Sequence, residues 1–274
     1  MTEPAELWRP RLVATDLDGT LLDGEGKVSA RTREVLLALD AIDVPVVFTT
    51  GRPLRWMVDL WDDVGDHGLA IVSNGGIVYD VHERSIRTSH AIAPDVLIQV
   101  GAILRDQIPG TSFAVESTRG FSREEGFFPR LAVSTMPDVP VGPLEQIIDD
   151  SVVKLLARHE ELGPEVFWER AESLVGDLVT TTWSSVGTLV EISAAGVTKA
   201  TTLADLTLDL GIAREDVVAF GDMPNDLPLM SWAGRSYAMS NGHHSVRELA
   251  DHVAPSNGED GVAVTLSRLF GWEK

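Results

Sequence analysis

The sequence predicts an α/β protein: a doubly wound, mostly parallel sheet interrupted by an inserted α+β block. Three observations predict it. Short apolar runs alternate with amphipathic segments through the first third, the same alternation returns at the end, and the stretch between has a different texture. Strands separated by helical patterns are the signature of βαβ units and hence of parallel pairing.

The elements follow in order. Residues 12–16 ("LVATD") form a first buried strand, and Ser29 stands as N-cap of a helix over 29–42. The strand at 44–49 is apolar on both faces, as a strand covered by helices on each side should be. Pro53 suits the first turn of a helix over 53–65, and a third strand runs over 69–73. Helical patterns at 94–106 and 164–175 then mix with strand-like runs at 111–116, 152–158 and 179–184, amid Gly- and Pro-rich loops. A helix over 198–210, strands at 216–222 and 235–240, and a helix over 259–270 restore the first style. This divides the chain into a core, 1–82 and 188–274, and an inserted domain, 83–187. Crossings near Tyr79–Arg84 and Gly187–Ser193 would let the insert open and close over the core.

Composition narrows the classes. With 274 residues, 44% of them hydrophobic, the chain can build a sizeable core. A net charge of −20 argues against nucleic-acid partners, which are gripped by clustered Lys and Arg. Cysteine is absent, which excludes disulfides, thiolate metal sites and cysteine nucleophiles. The opening "MTEPAELWRP" is acidic where a signal peptide would be basic, and no apolar run reaches the roughly 18 residues of a membrane span, so the expected location is cytoplasmic.

The chemistry begins at "TDLDGT", where two aspartates stand two residues apart at the end of a buried strand. Crowded carboxylates raise one another's pKa, and a cation, a shared proton or solvent must resolve the conflict. Aspartates at the carboxyl ends of parallel strands face the crevice where open α/β sheets bind ligands. Asp16 falls there after the first strand and Asp222 after "VVAFG", so Asp16, Asp18 and Asp222 are expected to converge. A cluster of hard oxygen ligands suits Mg²⁺. Thr50-Gly51-Arg52 offers a hydroxyl, an unshielded amide and a helix start, an anion site, while Lys199 offers a mobile point charge. Nucleophile, metal, phosphate cradle and lysine together make a phosphoryl-transfer kit.

"DLDGT" (16–20), "TTGR" (49–52), "GVTKA" (196–200) and "GDMPND" (221–226) resemble, in order, the four motifs of the haloacid dehalogenase-like phosphatases. The inserted block, with "SNGG" (73–76) before it, is similar to the C2-type cap of the Cof-like branch. The resemblance implies a Rossmann-like core and Mg²⁺-dependent hydrolysis of a small phosphomonoester such as a sugar phosphate. It implies Asp16 as nucleophile and Asp18 as general acid and base. Metal contacts would come from Asp16, the Asp18 carbonyl and Asp222, supported by Asn225 or Asp226. Thr50 and Lys199 would hold the phosphoryl oxygens, with the Gly51 amide, Arg52 and Asn225 also on the phosphate.

Two rivals keep the same sheet: a phosphomutase that hands the phosphoryl group to a second hydroxyl, and a signalling receiver that holds it without turnover. A nicotinamide-binding fold is poorly supported, since no G-x-G-x-x-G follows the first strand. The remaining candidates carry blander expectations. His243 and His244 are placed in an exposed loop, and Trp56, Trp61 and Trp183 in core or interdomain contacts. Arg119, Arg123 and Arg130 are read as solvated loop charges.

Overall fold

The structure, a computed structural model, describes residues 8–57, 60, 68–127, 139–183 and 188–272. The large sheet is assembled from β1 (Leu12–Thr15), β2 (Val46–Thr49), β3 (Leu69–Val72), β4 (Ile77–Asp80), β5 (Ser85–Ser89), β11 (Val217–Gly221), β12 (Arg235–Met239) and β13 (His252–Ala254). Their order is β13-β12-β11-β1-β2-β3-β4-β5, with every pair from β13 to β3 parallel and the β3–β4–β5 edge antiparallel.

Period-two side-chain alternation splits each central strand between two cores. Leu12, Ala14, Val47 and Ile71 face α5 (Lys199–Asp209), α6 (Leu227–Trp232) and α7 (His244–Leu249), packing on Leu203, Leu206, Leu229 and Val246. Val13, Phe48, Val72 and Phe220 face the other way, onto α1 (Ala30–Asp40) and α8 (Gly261–Phe270). Each such fully buried side chain contributes about 1.5–3 kcal/mol. The sheet is therefore doubly wound, and Ser29 caps α1 as expected, accepting from the Thr32 amide at 3.0 Å.

The insert is a second layer pair. Strands β6 (Ser112–Ser117), β7 (Gly120–Arg123), β8 (Val152–Arg158), β9 (Val179–Thr182) and β10 (Leu189–Ala194) form an antiparallel sheet of order β7-β6-β8-β10-β9. Helices α2 (Pro94–Gln107) and α4 (Pro164–Val175) cover one face through Leu97, Leu104 and Phe167 against Phe113, Leu155 and Ile192, and a short α3 (Leu144–Ile147) closes one end.

Both expected domain boundaries shift. The chain at 79–84 is the end of β4 and the turn into β5, both strands of the large sheet, so the first crossing follows Ser89. Likewise β10 belongs to the insert's sheet, so the return crossing follows Ala194. A solvent-facing edge hairpin and an inserted strand look alike in composition, so neither boundary is marked in the sequence. β5, for one, is exposed throughout. Of the helix expected over 53–65, the described residues show a 3-10 turn at Leu54–Trp56, and much of the remainder lies outside them. Among the described residues no helix is long and apolar enough to cross a membrane.

Candidate active site

Because β1, β2 and β11 run parallel, their carboxyl ends open on one edge, and the loops that follow them meet there. Asp16 leaves β1 with its amide held by the Phe220 carbonyl at 3.0 Å. Lys199 opens α5, whose start is fixed by a capping box between Thr198 and Thr201. The Lys199 ammonium is fully buried and donates to Asp16 Oδ1 and Asp226 Oδ1, both at 2.7 Å. The other oxygen of Asp226 accepts from the amides of Asp222 and Met223 at 3.0 and 3.1 Å, and Asp222 Oδ1 accepts from Thr20 Oγ1 at 3.0 Å.

Asp16, Asp222 and Asp226 thus form a buried cluster whose oxygens lie within 4.8 Å of one another. They share one ammonium, and their protonation follows from that shortage. Burial, above all, pushes Asp16 well up, with Lys199 opposing and Asp226 and Asp222 adding. Burial and then Asp226 raise Asp222 to about 7. For Lys199, burial favours the neutral amine, but Asp16 and Asp226 outweigh it and the pKa rises. The donor set fits a magnesium ion: hard carboxylate oxygens in excess of the available positive charge, plus Asn225 Oδ1, a buried oxygen without a hydrogen-bond partner. Gly19 permits the crowding. Its φ is +74°, and a Cβ there would lie 2.3 Å from Asp222 Oδ2.

Asp18 departs from the expected convergence. Its carboxylate lies outside the metal-competent trio and accepts from Arg52 at both oxygens, Nε–Oδ2 at 2.7 Å and Nη2–Oδ1 at 2.6 Å. The chain turns at Leu17–Leu21, which leaves the Asp18 side chain 56% exposed on the rim. Arg52, expected on phosphate, stands opposite, and that pairing raises its own pKa. Asp226, expected in support, is instead wholly buried at the centre. Lys199 is a fixed charge, not the mobile one its helix start suggested.

Thr50, 1% exposed, accepts from the Arg52 amide through Oγ1 at 3.0 Å. Gly51 lies so close to Asn74 and Asn225 that a Cβ would sit 3.1 Å from Asn74 Oδ1 and 3.5 Å from Asn225 Nδ2. Asn225 donates to Asn74 Oδ1 at 3.0 Å. Asn74, in the left-handed region at φ 57°, donates in turn to Glu191 of the insert at 2.8 Å. The sequence pattern alone does not single out Asn74, Lys154 or Glu191. The available signal was a single charge inside each of the apolar runs "VVKLLA" and "LVEIS".

The lesser candidates fall elsewhere. His243 is the half-buried N-cap of α7 and stacks edge-on with Trp183 of the insert at 5.6 Å, an interdomain contact, while His244 is exposed. Trp56 is 44% exposed, contrary to expectation, with the Arg55 guanidinium 4.7 Å from its ring centre. Arg119 is a surface charge paired with Asp149 and Asp150, whereas Arg123 donates to the carbonyls of Glu124, Glu125 and Phe127 and holds a loop. Trp61 and Arg130 lie outside the described residues. A cavity of about 260 Å³ opens beside the site, in the seam between Pro53–Arg55, Ser73, Tyr79 and the β6–β7 hairpin.

Known proteins resemble this chain along nearly its whole length. A phosphatase of Bacillus subtilis acting on 5-amino-6-(5-phospho-D-ribitylamino)uracil is 30% identical over 93% of this chain and 94% of its own. A phosphoglycolate phosphatase of Methanothermobacter thermautotrophicus is 23% identical over 96% of this chain and 100% of its own. The fold is shared with the haloalkanoate-superfamily phosphatase BT1666 of Bacteroides thetaiotaomicron, at a TM-score of 0.80, 22% identity and 98% of each chain. The sequence model of the haloacid dehalogenase-like hydrolases matches residues 13–266. The chain therefore belongs to the haloacid dehalogenase-like hydrolases and is an enzyme of that family.

Proposed function

We propose that the enzyme hydrolyses small phosphomonoesters in the presence of Mg²⁺, with Asp16 as nucleophile and Asp18 as general acid and base. The observation that carries this reading is Asp16 itself: a buried carboxylate at the end of β1, 2.7 Å from a fully buried ammonium and beside two further acids. A carboxylate oriented in this way attacks phosphorus, and the bond to the leaving oxygen breaks. Asp18, exposed on the rim where an alcohol would depart, supplies the proton. It then takes a proton from water, which attacks the aspartyl phosphate, breaks the bond to Asp16 and releases inorganic phosphate. Thr50 and Lys199 orient the phosphoryl oxygens. When bound by Asp16, Asp222 and Asp226, magnesium supplies the positive charge that the phosphoryl oxygens and the acids both need.

The activities of the relatives, on a ribityl phosphate derivative and on phosphoglycolate, support a small polar phosphorylated metabolite as substrate. They also favour hydrolysis over phosphoryl transfer to a second hydroxyl. The test is turnover of a phosphomonoester panel with magnesium chloride by the wild type beside Asp16→Asn. Loss of turnover in the variant is expected, and equal turnover overturns the assignment.

A further inference from the structure

Three charged side chains of the insert stand in one row across adjacent strands. Glu116 on β6 pairs directly with Lys154 on β8, and Lys154 lies diagonal to Glu191 on β10, which is opposite Leu156. All three are buried, at 4%, 1% and 7% exposure. Each reaches into the core. Glu116 takes a bidentate contact from Arg55 at 2.6 and 3.0 Å, Lys154 donates to the Gly51 carbonyl at 2.6 Å, and Glu191 accepts from Asn74 at 2.8 Å. Lys154 also donates to Glu191 at 3.0 Å.

A row of buried charges is a poor way to glue two domains. Well-packed apolar side chains of the same volume would dock the insert as firmly or more so. What charges add is direction, and here the targets are specific backbone and amide groups of the phosphate-binding loops. The Gly51–Arg52 peptide is pinned at both ends, its carbonyl by Lys154 and its N–H by Thr50 Oγ1 at 3.0 Å. A hydroxyl that accepts there has its single proton left to donate elsewhere. On the other arm, Glu191 fixes Asn74, and Asn74 fixes Asn225, which sits between Asp222 and Asp226.

We infer that Lys154 and Glu191 of the insert are positioning residues for phosphoryl binding, Lys154 acting through the Gly51–Arg52 peptide on Thr50 and Glu191 through Asn74 on Asn225. The insert is then part of the scaffold that shapes the phosphate site as well as its cover. This rests on the phosphatase reading above.

The test uses the full chain with magnesium chloride. Lys154→Met/Glu191→Gln removes both charges together, so neither is stranded. Arg55→Met/Glu116→Gln removes instead the neighbouring ion pair, whose two bonds at 3.0 and 2.6 Å join Arg55 to Glu116. For each, kcat and KM for p-nitrophenyl phosphate, the inhibition constant of inorganic phosphate and the urea midpoint are measured. The Lys154/Glu191 variant should bind phosphate roughly tenfold to a hundredfold more weakly and lose kcat/KM in proportion, since misplacing oriented groups by about 1 Å costs on that scale. The Arg55/Glu116 variant should hold the phosphate constant within about twofold. Equal weakening by both pairs, or an unchanged constant in the Lys154/Glu191 variant, overturns the inference. Should that variant not fold, Lys154→Arg keeps the charge and moves the donor: weaker phosphate binding supports the inference and an unchanged constant refutes it. Absence of any turnover by the wild type would instead sink the phosphatase reading.

Discussion

Lys199→Met should destabilise the metal-free enzyme severely. The ammonium is fully buried and makes two 2.7 Å bonds, to Asp16 and Asp226, both themselves buried. Methionine fills much the same volume, so little is lost in packing. What is lost is the one cation among three carboxylates whose oxygens lie within 4.8 Å. Breaking a buried ion pair from one side costs about 3–5 kcal/mol, because the abandoned charge stays desolvated. For a chain of this size each kcal/mol moves Tm by about 2–4 °C, so the variant should melt roughly 6–20 °C lower. The assay is thermal unfolding followed by far-ultraviolet circular dichroism, at pH 8 in chelator. The deficit should shrink at pH 5, because burial has already raised Asp16 and protons can take the place of the missing ammonium. Magnesium chloride should recover more stability in the variant than in the wild type, by the ordinary mass-action gain for a ligand that binds only the folded state. A melting temperature within about 2 °C of wild type at pH 8 in chelator would refute the reasoning, for it would mean that the acids carry no charge for Lys199 to balance.

Three further outcomes follow from the same geometry. Asp222 is raised from 3.8 to about 7 by burial and then by Asp226, so its contribution to stability is complete below its unfolded value and is lost as pH climbs through about 7. In chelator the wild type should therefore lose up to about 4 kcal/mol relative to Asp222→Asn between pH 4 and pH 8, and parallel urea midpoints for the two across that range would contradict it. Gly19→Ala forces a side chain into φ +74° and drives its Cβ to 2.3 Å from Asp222 Oδ2, so stability should fall by about 1–2 kcal/mol and turnover by more than about tenfold, read from urea denaturation and kcat. Both oxygens of Asp18 accept from Arg52, so substrate phosphate must draw Arg52 away before Asp18 can serve the leaving group. Arg52→Gln should accordingly raise KM and the inhibition constant of phosphate more than it lowers kcat, and an unchanged KM would count against that exchange.

Most of the fold was legible because its causes are local. β1, β2, β3 and β11 read as buried parallel strands since both faces of each are apolar, and Ser29 marked the start of α1 by its hydroxyl alone. The insert boundaries were not legible: whether β5 and β10 join one sheet or the other is decided by tertiary pairing, and nothing in "SIRTS" or "LVEISA" encodes the partner. At the site, the spacing of Asp16, Asp222 and Lys199 along strand ends and a helix start forecast their meeting. The central position of Asp226 was not forecast, because it depends on the turn at Pro224–Asp226 folding its carboxylate back onto the amides of Asp222 and Met223. Lys154 and Glu191 escaped for a related reason. A lone charge within an apolar strand normally turns to solvent, and only the packing of the insert on the core turns that face inward.

The charge balance of the assembled site explains why phosphate binding cannot rest on its lysine and arginine alone. Asp16, Asp18, Asp222 and Asp226 face Lys199 and Arg52, an excess of two negative charges when all are ionised, and both cations are already engaged. A phosphomonoester dianion would enter against that excess, and each like-charge contact at about 4 Å costs on the order of 4 kcal/mol under partly buried conditions. The molecule's net −20 acts in the same sense, but salt screens the part of it that lies beyond a Debye length of about 8 Å. The repulsion that matters is therefore local, and it can be met only by groups placed within the crevice: a divalent ion on the acid cluster, the loop amides after β2, and Arg52 once released from Asp18. Each of these depends on the backbone around Gly51 holding its course. That backbone is gripped by Lys154, so the cost of bringing an anion into an acidic site is shared between the core that supplies the charges and the insert that fixes the loop they act through.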